Sequence, residues 1–176
     1  MSAYPYRYRR RGASREQAIG ITLVLIAAAA GARTAGDHAP HAVPAVVMAA
    51  RDTASAAAIG YARKQIGLPY CWGGTGAGCF DCSGLVQMAY RSAGVSIART
   101  SQDQWATEPH IPASRVQAGD LVFFAGSDGT MTAPGHVGIV TGPGRMIEAY
   151  ATGYPIRVSS YDRPDLVGFT DPRGGA

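Results

Sequence analysis

Two stretches in the middle of the chain place apolar residues at helical spacing. The first begins near Ala58 and stops at Gly67, with a proline close behind it that would not continue a helix. The second ends at Gly94, a residue able to take the left-handed conformation found just after many helices. Its apolar positions are Cys82, Leu85, Val86, Ala89 and Ala93. Both stretches predict helices, and the second follows directly on Asp81, whose carboxylate can accept an amide hydrogen bond of the first turn.

Downstream of the second helix the pattern changes to short apolar runs bounded by glycine, proline and aspartate, which predicts strands. These runs occupy residues 121–124, 137–140, 146–150, 156–159 and 166–169. Helices followed by strands indicate an α+β domain. If Thr141 to Pro143 form a three-residue hairpin loop, His136 lies opposite Glu148, with Cβ atoms about 4.5 to 5.5 Å apart. An imidazole and a carboxylate at that separation can form a hydrogen bond.

The first third of the 176-residue chain differs from the rest in composition. Residues 18–32 carry no charge and follow a basic segment, which is the layout of a secretory signal peptide or a single-pass membrane anchor occupying residues 1–32. Residues 33–57 are rich in alanine and proline and predict a linker. The globular domain is then expected at 58–171, followed by a tail at 172–176. If the N-terminal segment is not cleaved, we expect membrane contact only through residues 18–32, and in either case the domain outside the cytoplasm.

The formal net charge of +4 arises entirely within the first 17 residues, which hold five arginines and one glutamate. Residues 18–176 are therefore formally neutral, which argues against nucleic acid as a partner of the globular part. His38 and His41 lie in the predicted linker, where two solvated histidines are expected rather than a metal site.

Three cysteines are an odd number for an exported chain, which suggests that one thiol stays free or reactive. A disulfide between Cys71 and Cys79 would leave Cys82 free. Cys79 and Cys82 also have the two-residue spacing of thiol–disulfide oxidoreductases, although no strand precedes them and no alternation of strands and helices surrounds them. A zinc site formed by the three cysteines and a histidine is a third alternative.

Cys82 is also predicted to lie in the first turn of a helix. Unpaired backbone amides and the positive end of the helix dipole favour a thiolate there, and the thiolate is the nucleophilic form of cysteine. Such a nucleophile needs a base that takes its proton and a third group that orients the base. His136 and Glu148 are suited to these two roles. The alternative is a buried, unreactive cysteine.

Five ordered motifs resemble those of the NlpC family of papain-like cysteine peptidases, which hydrolyse peptides of bacterial cell-wall peptidoglycan. The motifs are residues 69–74 (PYCWGG), 81–86 (DCSGLV), 99–101 (RTS), 119–124 (GDLVFF) and 135–139 (GHVGI). Their order and separations make the resemblance specific, and it covers residues 58–171. It implies a papain-like α+β fold in which N-terminal helices, including the Cys82 helix, pack on an antiparallel β-sheet.

By this resemblance Cys82 is the nucleophile, His136 the base and Glu148 the orienting residue, at a position where the family usually has histidine. Tyr70 and the backbone amide of Cys82 are the expected oxyanion donors. The residues expected to bind the substrate peptide are Asp81, Ser83, Arg99 and Ser101. Cys71 replaces the usual aliphatic residue, and together with Cys79 it suggests a local disulfide that the family does not require.

The resemblance implies an exported endopeptidase that cleaves peptidoglycan stem peptides after a D-glutamyl residue and before the diamino acid, through a thioester. It implies no metal and no cofactor, and we expect a monomer. Two other classes remain as alternatives. One is a thiol–disulfide oxidoreductase that uses Cys79 and Cys82, and the other is a wall-binding module without catalysis.

Overall fold

The computed structural model of the chain describes residues 45–174. The predicted signal peptide or anchor at 1–32 and the first part of the predicted linker lie outside the described residues. Within residues 45–174, no helix combines the length and the apolar character needed to span a membrane.

The first helix, α1 (Ala45–Lys64), begins well before its predicted start at Ala58, so the second part of the predicted linker is helical. Alanine has the highest helix propensity, and tertiary contacts stabilise this extension. Ser55 is buried, and Arg51 forms an ion pair with Asp171. The predicted tail also differs, because Arg173 forms an ion pair with the buried Asp120 and is therefore part of the folded domain.

The second helix, α2 (Cys82–Ser92), begins where the sequence predicts and ends one residue before Ala93, the last position of the apolar pattern. The Asp81 carboxylate accepts the Gly84 amide at 2.6 Å, and Gly94 after the helix has a φ of 77°. A short third helix, α3 (Ser101–Thr107), follows Thr100, whose hydroxyl accepts the Asp103 amide at 3.1 Å.

Two sheets complete the described fold. A hairpin of β1 (Thr75–Gly76) and β2 (Cys79–Phe80) lies directly before α2. The main sheet consists of β3 (His110–Ile111), β4 (Leu121–Phe124), β5 (His136–Gly142), β6 (Arg145–Glu148), β7 (Arg157–Ser160) and β8 (Leu166–Thr170). Its strand order is β3-β8-β4-β5-β6-β7, and every neighbouring pair is antiparallel. Helices packed on an antiparallel sheet confirm the predicted fold class.

The main hydrophobic core lies between the helices and one face of the main sheet. Leu85, Val86 and Ala89 of α2 are fully buried in one cluster with Val137 and Ile139 of β5. Because apolar area removed from water contributes about 25 cal/mol per Å², this interface fixes α2 against β5. The first turn of α2, with Cys82, is thereby held beside the start of β5, with His136.

The hairpin between β5 and β6 differs from the prediction. The observed register pairs Ile139 with Ile147 and Val140 with Met146, with an irregularity before Gly142 pairs with Arg145. The predicted register, which placed His136 opposite Glu148, is therefore wrong by two residues. The turn is tighter than the three-residue loop assumed, and Gly144 there has a φ of 70°, which a residue without Cβ adopts at no steric cost.

Candidate active site

Cys82 lies in the first turn of α2 and lines an open cleft of about 700 Å³. Its side chain is largely buried, and it is the free cysteine of the described residues. The thiol lies 3.9 Å from the carbonyl oxygen of Gly135, the residue before His136. Cys82 therefore lies at the N-terminus of a helix, as the sequence predicts, and it faces the start of β5.

His136 and Glu148 are in direct contact although they are not cross-strand partners. His136 Nε2 lies 2.8 Å from Glu148 Oε2, and the glutamate is fully buried. Since Nε2 is engaged by the carboxylate, Nδ1 is the ring nitrogen left to exchange a proton with Cys82, which lines the same cleft. The structure thus brings the three sequence-predicted residues together: Cys82 and His136 line one cleft, and His136 contacts Glu148.

The protonation of the pair follows from these contacts. Burial acts to lower the pKa of His136, but the hydrogen bonds with Cys82 and Glu148 outweigh burial and raise it to about 9. Burial acts to raise the pKa of Glu148, but the hydrogen bond from His136 and the nearby charges lower it to about 2. An imidazolium and a carboxylate are therefore the stable forms of this pair near neutral pH.

Two arginines that sequence reasoning missed also contact Glu148. Arg157 Nε and Nη2 donate to Oε1 at 3.2 and 3.1 Å, and Arg163 Nη1 donates to Oε2 at 3.1 Å. Arg157 lies directly opposite Glu148 in the β6–β7 register. Pairing these two strands correctly would have identified Arg157. Arg163 follows β7 in a segment without a repeating pattern, so strand pairing would not have identified it.

Asp81 connects the start of α2 to the cleft wall. Besides the Gly84 amide, its carboxylate accepts the Gly73 amide at 3.0 Å and both terminal nitrogens of Arg99 at 3.0 and 2.6 Å. The hydrogen bond and charge of Asp81 raise the pKa of Arg99, although burial acts against it. Arg99 Nη1 also donates to the Ser83 hydroxyl at 3.0 Å. The predicted substrate-binding residues Asp81, Ser83 and Arg99 thus form one cluster beside Cys82.

Tyr70 and Ser101 line the same cleft, Tyr70 half-buried and Ser101 buried. Burial, with the negative charges of Cys82 and Asp81, raises the pKa of Tyr70. The phenol therefore keeps its proton and remains a hydrogen-bond donor near Cys82. The sequence-predicted site residues therefore line this cleft, with Glu148 and the cysteine pair as exceptions. Glu148 contacts His136, which lines the cleft, and the cysteine pair is described next.

Cys71 and Cys79 are joined by a disulfide in the structure, with Cα atoms 5.6 Å apart. Their sulfur atoms are bonded to each other, so Cys79 is not paired with Cys82 as in the oxidoreductase alternative, and neither sulfur is a free thiolate for a metal ion. The disulfide closes the loop that contains Gly73, and the Gly73 amide donates to the Asp81 carboxylate. It therefore constrains the chain directly before Cys82.

Comparisons with known proteins identify the family of the chain. The sequence profile of the NlpC/P60 family matches residues 67–167. The probable endopeptidase Cgl2188 of Corynebacterium glutamicum is 44% identical over 131 residues, which cover 70% of this chain and 59% of that protein. The bifunctional muramidase/DL-endopeptidase CwlT of Bacillus subtilis is 44% identical over 112 residues, which cover 61% and 33%. The chain spans less than two thirds of the length of these relatives.

A solved structure is similar over a larger share of its own chain. The peptidoglycan hydrolase RipB of Mycobacterium tuberculosis superimposes with a TM-score of 0.62 at 30% identity, covering 77% of this chain and 74% of that one. The family profile alone matches more than half of the chain. The chain therefore belongs to the NlpC/P60 family.

Proposed function

We propose that the protein is an exported peptidoglycan hydrolase, a cysteine endopeptidase in which Cys82, His136 and Glu148 act as nucleophile, base and orienting residue. The observation that carries the proposal is a helix-start thiol in the same cleft as a buried imidazole that is hydrogen-bonded to a buried carboxylate. The names of the relatives, endopeptidase, DL-endopeptidase and peptidoglycan hydrolase, support the same class.

The mechanism begins with a Cys82 thiolate beside a protonated His136. The sulfur attacks the carbonyl carbon of the scissile amide, and the negative charge passes to the carbonyl oxygen, which accepts hydrogen bonds from the Tyr70 phenol and the Cys82 amide. His136 then gives its Nδ1 proton to the leaving nitrogen, the C–N bond breaks, and a thioester remains. Glu148 holds the ring through Nε2–H throughout.

Hydrolysis of the thioester reverses the proton flow. His136, now neutral, takes a proton from water, and the resulting hydroxide attacks the thioester carbonyl. The C–S bond breaks, the acid product leaves, and the thiolate and imidazolium are regenerated. Each turnover therefore consumes one water and one amide bond.

The substrate proposed is the peptidoglycan stem peptide, cut after a D-glutamyl residue and before the diamino acid. Asp81, Ser83 and Arg99 present one carboxylate, one hydroxyl and one guanidinium beside Cys82. Such a set suits a short segment that carries both an amine or amide donor and a carboxylate. Ser101 lies in the same wall of the cleft.

The test is to incubate the full chain with purified muropeptides and to measure the product masses, which identify the bond that is cut. We expect Cys82→Ala to lose at least about three orders of magnitude in rate. Ser92→Ala, at the exposed end of the same helix, is the matched control and should retain the parental rate. Equal cleavage by Cys82→Ala and the parent would refute the assignment.

Glu148→Gln tests the orienting role separately. Glutamine cannot stabilise the imidazolium by charge, so we expect a folded protein whose turnover is slower by about tenfold or more. An unchanged rate, with a circular dichroism spectrum like that of the parent, would remove Glu148 from the mechanism.

A further inference from the structure

The carboxylate of Glu148 has more cationic partners than its contact with His136 requires. It is fully buried, and each oxygen accepts from an arginine, Oε1 from Arg157 and Oε2 from Arg163. A buried carboxylate is costly unless its lone pairs are satisfied, so both arginines stabilise the charged form. The imidazole shares Oε2 with Arg163, while Arg157 occupies Oε1.

We infer that Arg157 and Arg163 are positioning residues for His136, acting through Glu148. Two donors of the planar Arg157 guanidinium converge as a fork on Oε1, and with Arg163 on Oε2 they hold the carboxylate at both oxygens. Oε2 is then directed at His136 Nε2, and Arg163 holds the same oxygen from another side. Arg157 does not line the cleft, whereas Arg163 does.

Aromatic side chains fix each guanidinium in turn. Arg157 lies over the rings of Tyr150 and Tyr154, at 4.8 and 5.0 Å from the ring centres. Arg163 lies 3.6 Å from the centre of the Phe124 ring, which packs beside His136 with ring centres 5.7 Å apart. Cation–π contacts and ring packing thus hold both arginines in the conformation that meets Glu148.

The arginines also affect the charge seen by the imidazole. The charged or titratable groups around Glu148 are Cys82 from α2, His136 from β5, Tyr150 after β6, Arg157 from β7, and Arg163 with Asp165 before β8. Arg157 and Arg163 are cations, and their positive charges offset the negative charge of the Glu148 carboxylate. They therefore oppose the protonation of His136 that Glu148 and the Cys82 thiolate favour.

These two effects can be separated with substitutions at Arg157, whose side chain is 37% exposed and is the more tolerant site of the two. Arg157→Lys keeps the positive charge and loses the fork. Arg157→Gln loses both. Arg145→Gln removes the same charge from an exposed position at the other end of β6 and is the matched control.

The first measurement is the rate at which iodoacetamide alkylates Cys82 as a function of pH. The chain has three cysteines and two of them form the disulfide, so alkylation reports on Cys82. The upper inflection of the profile marks the loss of the His136 proton. We expect it to move to higher pH in Arg157→Gln, because a nearby cation is removed, and to stay in place in Arg157→Lys and Arg145→Gln.

The second measurement is turnover of the muropeptide substrate. We expect kcat to fall by about 10- to 100-fold in both Arg157 variants, with KM unchanged, because the ring is less well oriented while the substrate cluster around Asp81 is intact. A parental kcat in a folded Arg157→Lys would show that the fork is not needed and would overturn the positioning role.

The alkylation measurement does not need the proposed substrate. If the parent cleaves no muropeptide, the proposed function fails while the pH profile still decides on the arginines. An upper inflection in Arg157→Gln at the same pH as in Arg145→Gln would overturn the inference, whatever the turnover. Should Arg157→Gln not fold, Arg163→Gln is tested in its place, since it removes the other cation from the same carboxylate.

Discussion

The disulfide next to the candidate nucleophile allows a prediction with a calculable magnitude. Cys71 and Cys79 are eight residues apart, and their bond restricts the unfolded chain more than the folded one. For a closed loop of this length the chain-entropy relation gives about 2.5 kcal/mol at 25 °C. We therefore expect the double variant Cys71→Ser/Cys79→Ser to lose about 2.5 kcal/mol of unfolding free energy.

The folded loop should survive this change, because backbone hydrogen bonds hold it independently. The Cys71 amide donates to Phe80, the Gly74 amide to Cys71, and the Asp81 amide to Gly74, each at 3.0 Å. No bond to Cys82, His136 or the substrate cluster is lost. The double variant should therefore keep most of its turnover at a temperature where it is fully folded.

The assay is urea unfolding followed by circular dichroism, with muropeptide turnover measured on the same samples. Both cysteines are replaced so that no unpaired thiol remains beside Cys82. The parent after reduction of its disulfide is the control and should unfold like the double variant. A loss below about 0.5 kcal/mol would refute the entropy argument. Loss of turnover in a folded double variant would instead show that the disulfide, and not the backbone hydrogen bonds alone, holds the loop before Cys82.

Two further predictions concern packing and protonation. A Cβ at Gly84 would collide with the Gly74 carbonyl oxygen, whereas one at Gly60 in α1 meets nothing within 4 Å. Gly84→Ala should therefore lose about 1 to 3 kcal/mol of unfolding free energy. Gly60→Ala should gain up to about 1 kcal/mol. Equal midpoints of urea unfolding for the two variants would contradict this packing. The folded state raises the pKa of His136 from 6.5 to about 9, so its stabilising effect is full below pH 6.5 and is lost as the pH rises to about 9. This prediction would be contradicted if the unfolding free energies of the parent and of His136→Gln changed equally with pH across this range.

Elements determined by nearby residues were predictable from the sequence. The Asp81 cap, the apolar face and Gly94 together define α2, and the run 121–124 coincides with β4. The start of α1 was not predictable in this way. An alanine-rich segment without a strong apolar face is typical of a spacer, and its helix depends on contacts with the far end of the chain, such as the ion pair of Arg51 with Asp171.

The arginines on Glu148 show the same limit at the site. Arg157 alternates with exposed residues along a short, half-exposed strand, a pattern that indicates a solvated side chain. Only the pairing of β6 with β7 brings it opposite a buried carboxylate. Cys82, His136 and Glu148 could be selected because thiol chemistry requires partners of those types. Nothing in that chemistry requires an arginine, so the sequence held no comparable signal for Arg157 or Arg163.

The hairpin register explains why a wrong pairing still selected the right residues. Continued beyond the paired residues, the observed register puts Tyr150 opposite His136 and Gly138 opposite Glu148. A shift of two residues leaves every side chain on its original face of the sheet, since side chains alternate with a period of two. His136 and Glu148 therefore remain diagonal neighbours, and the long glutamate side chain spans the added distance beside a glycine that has no side chain. A shift of one residue would have put them on opposite faces, so the contact depends on the parity of the register rather than on its value.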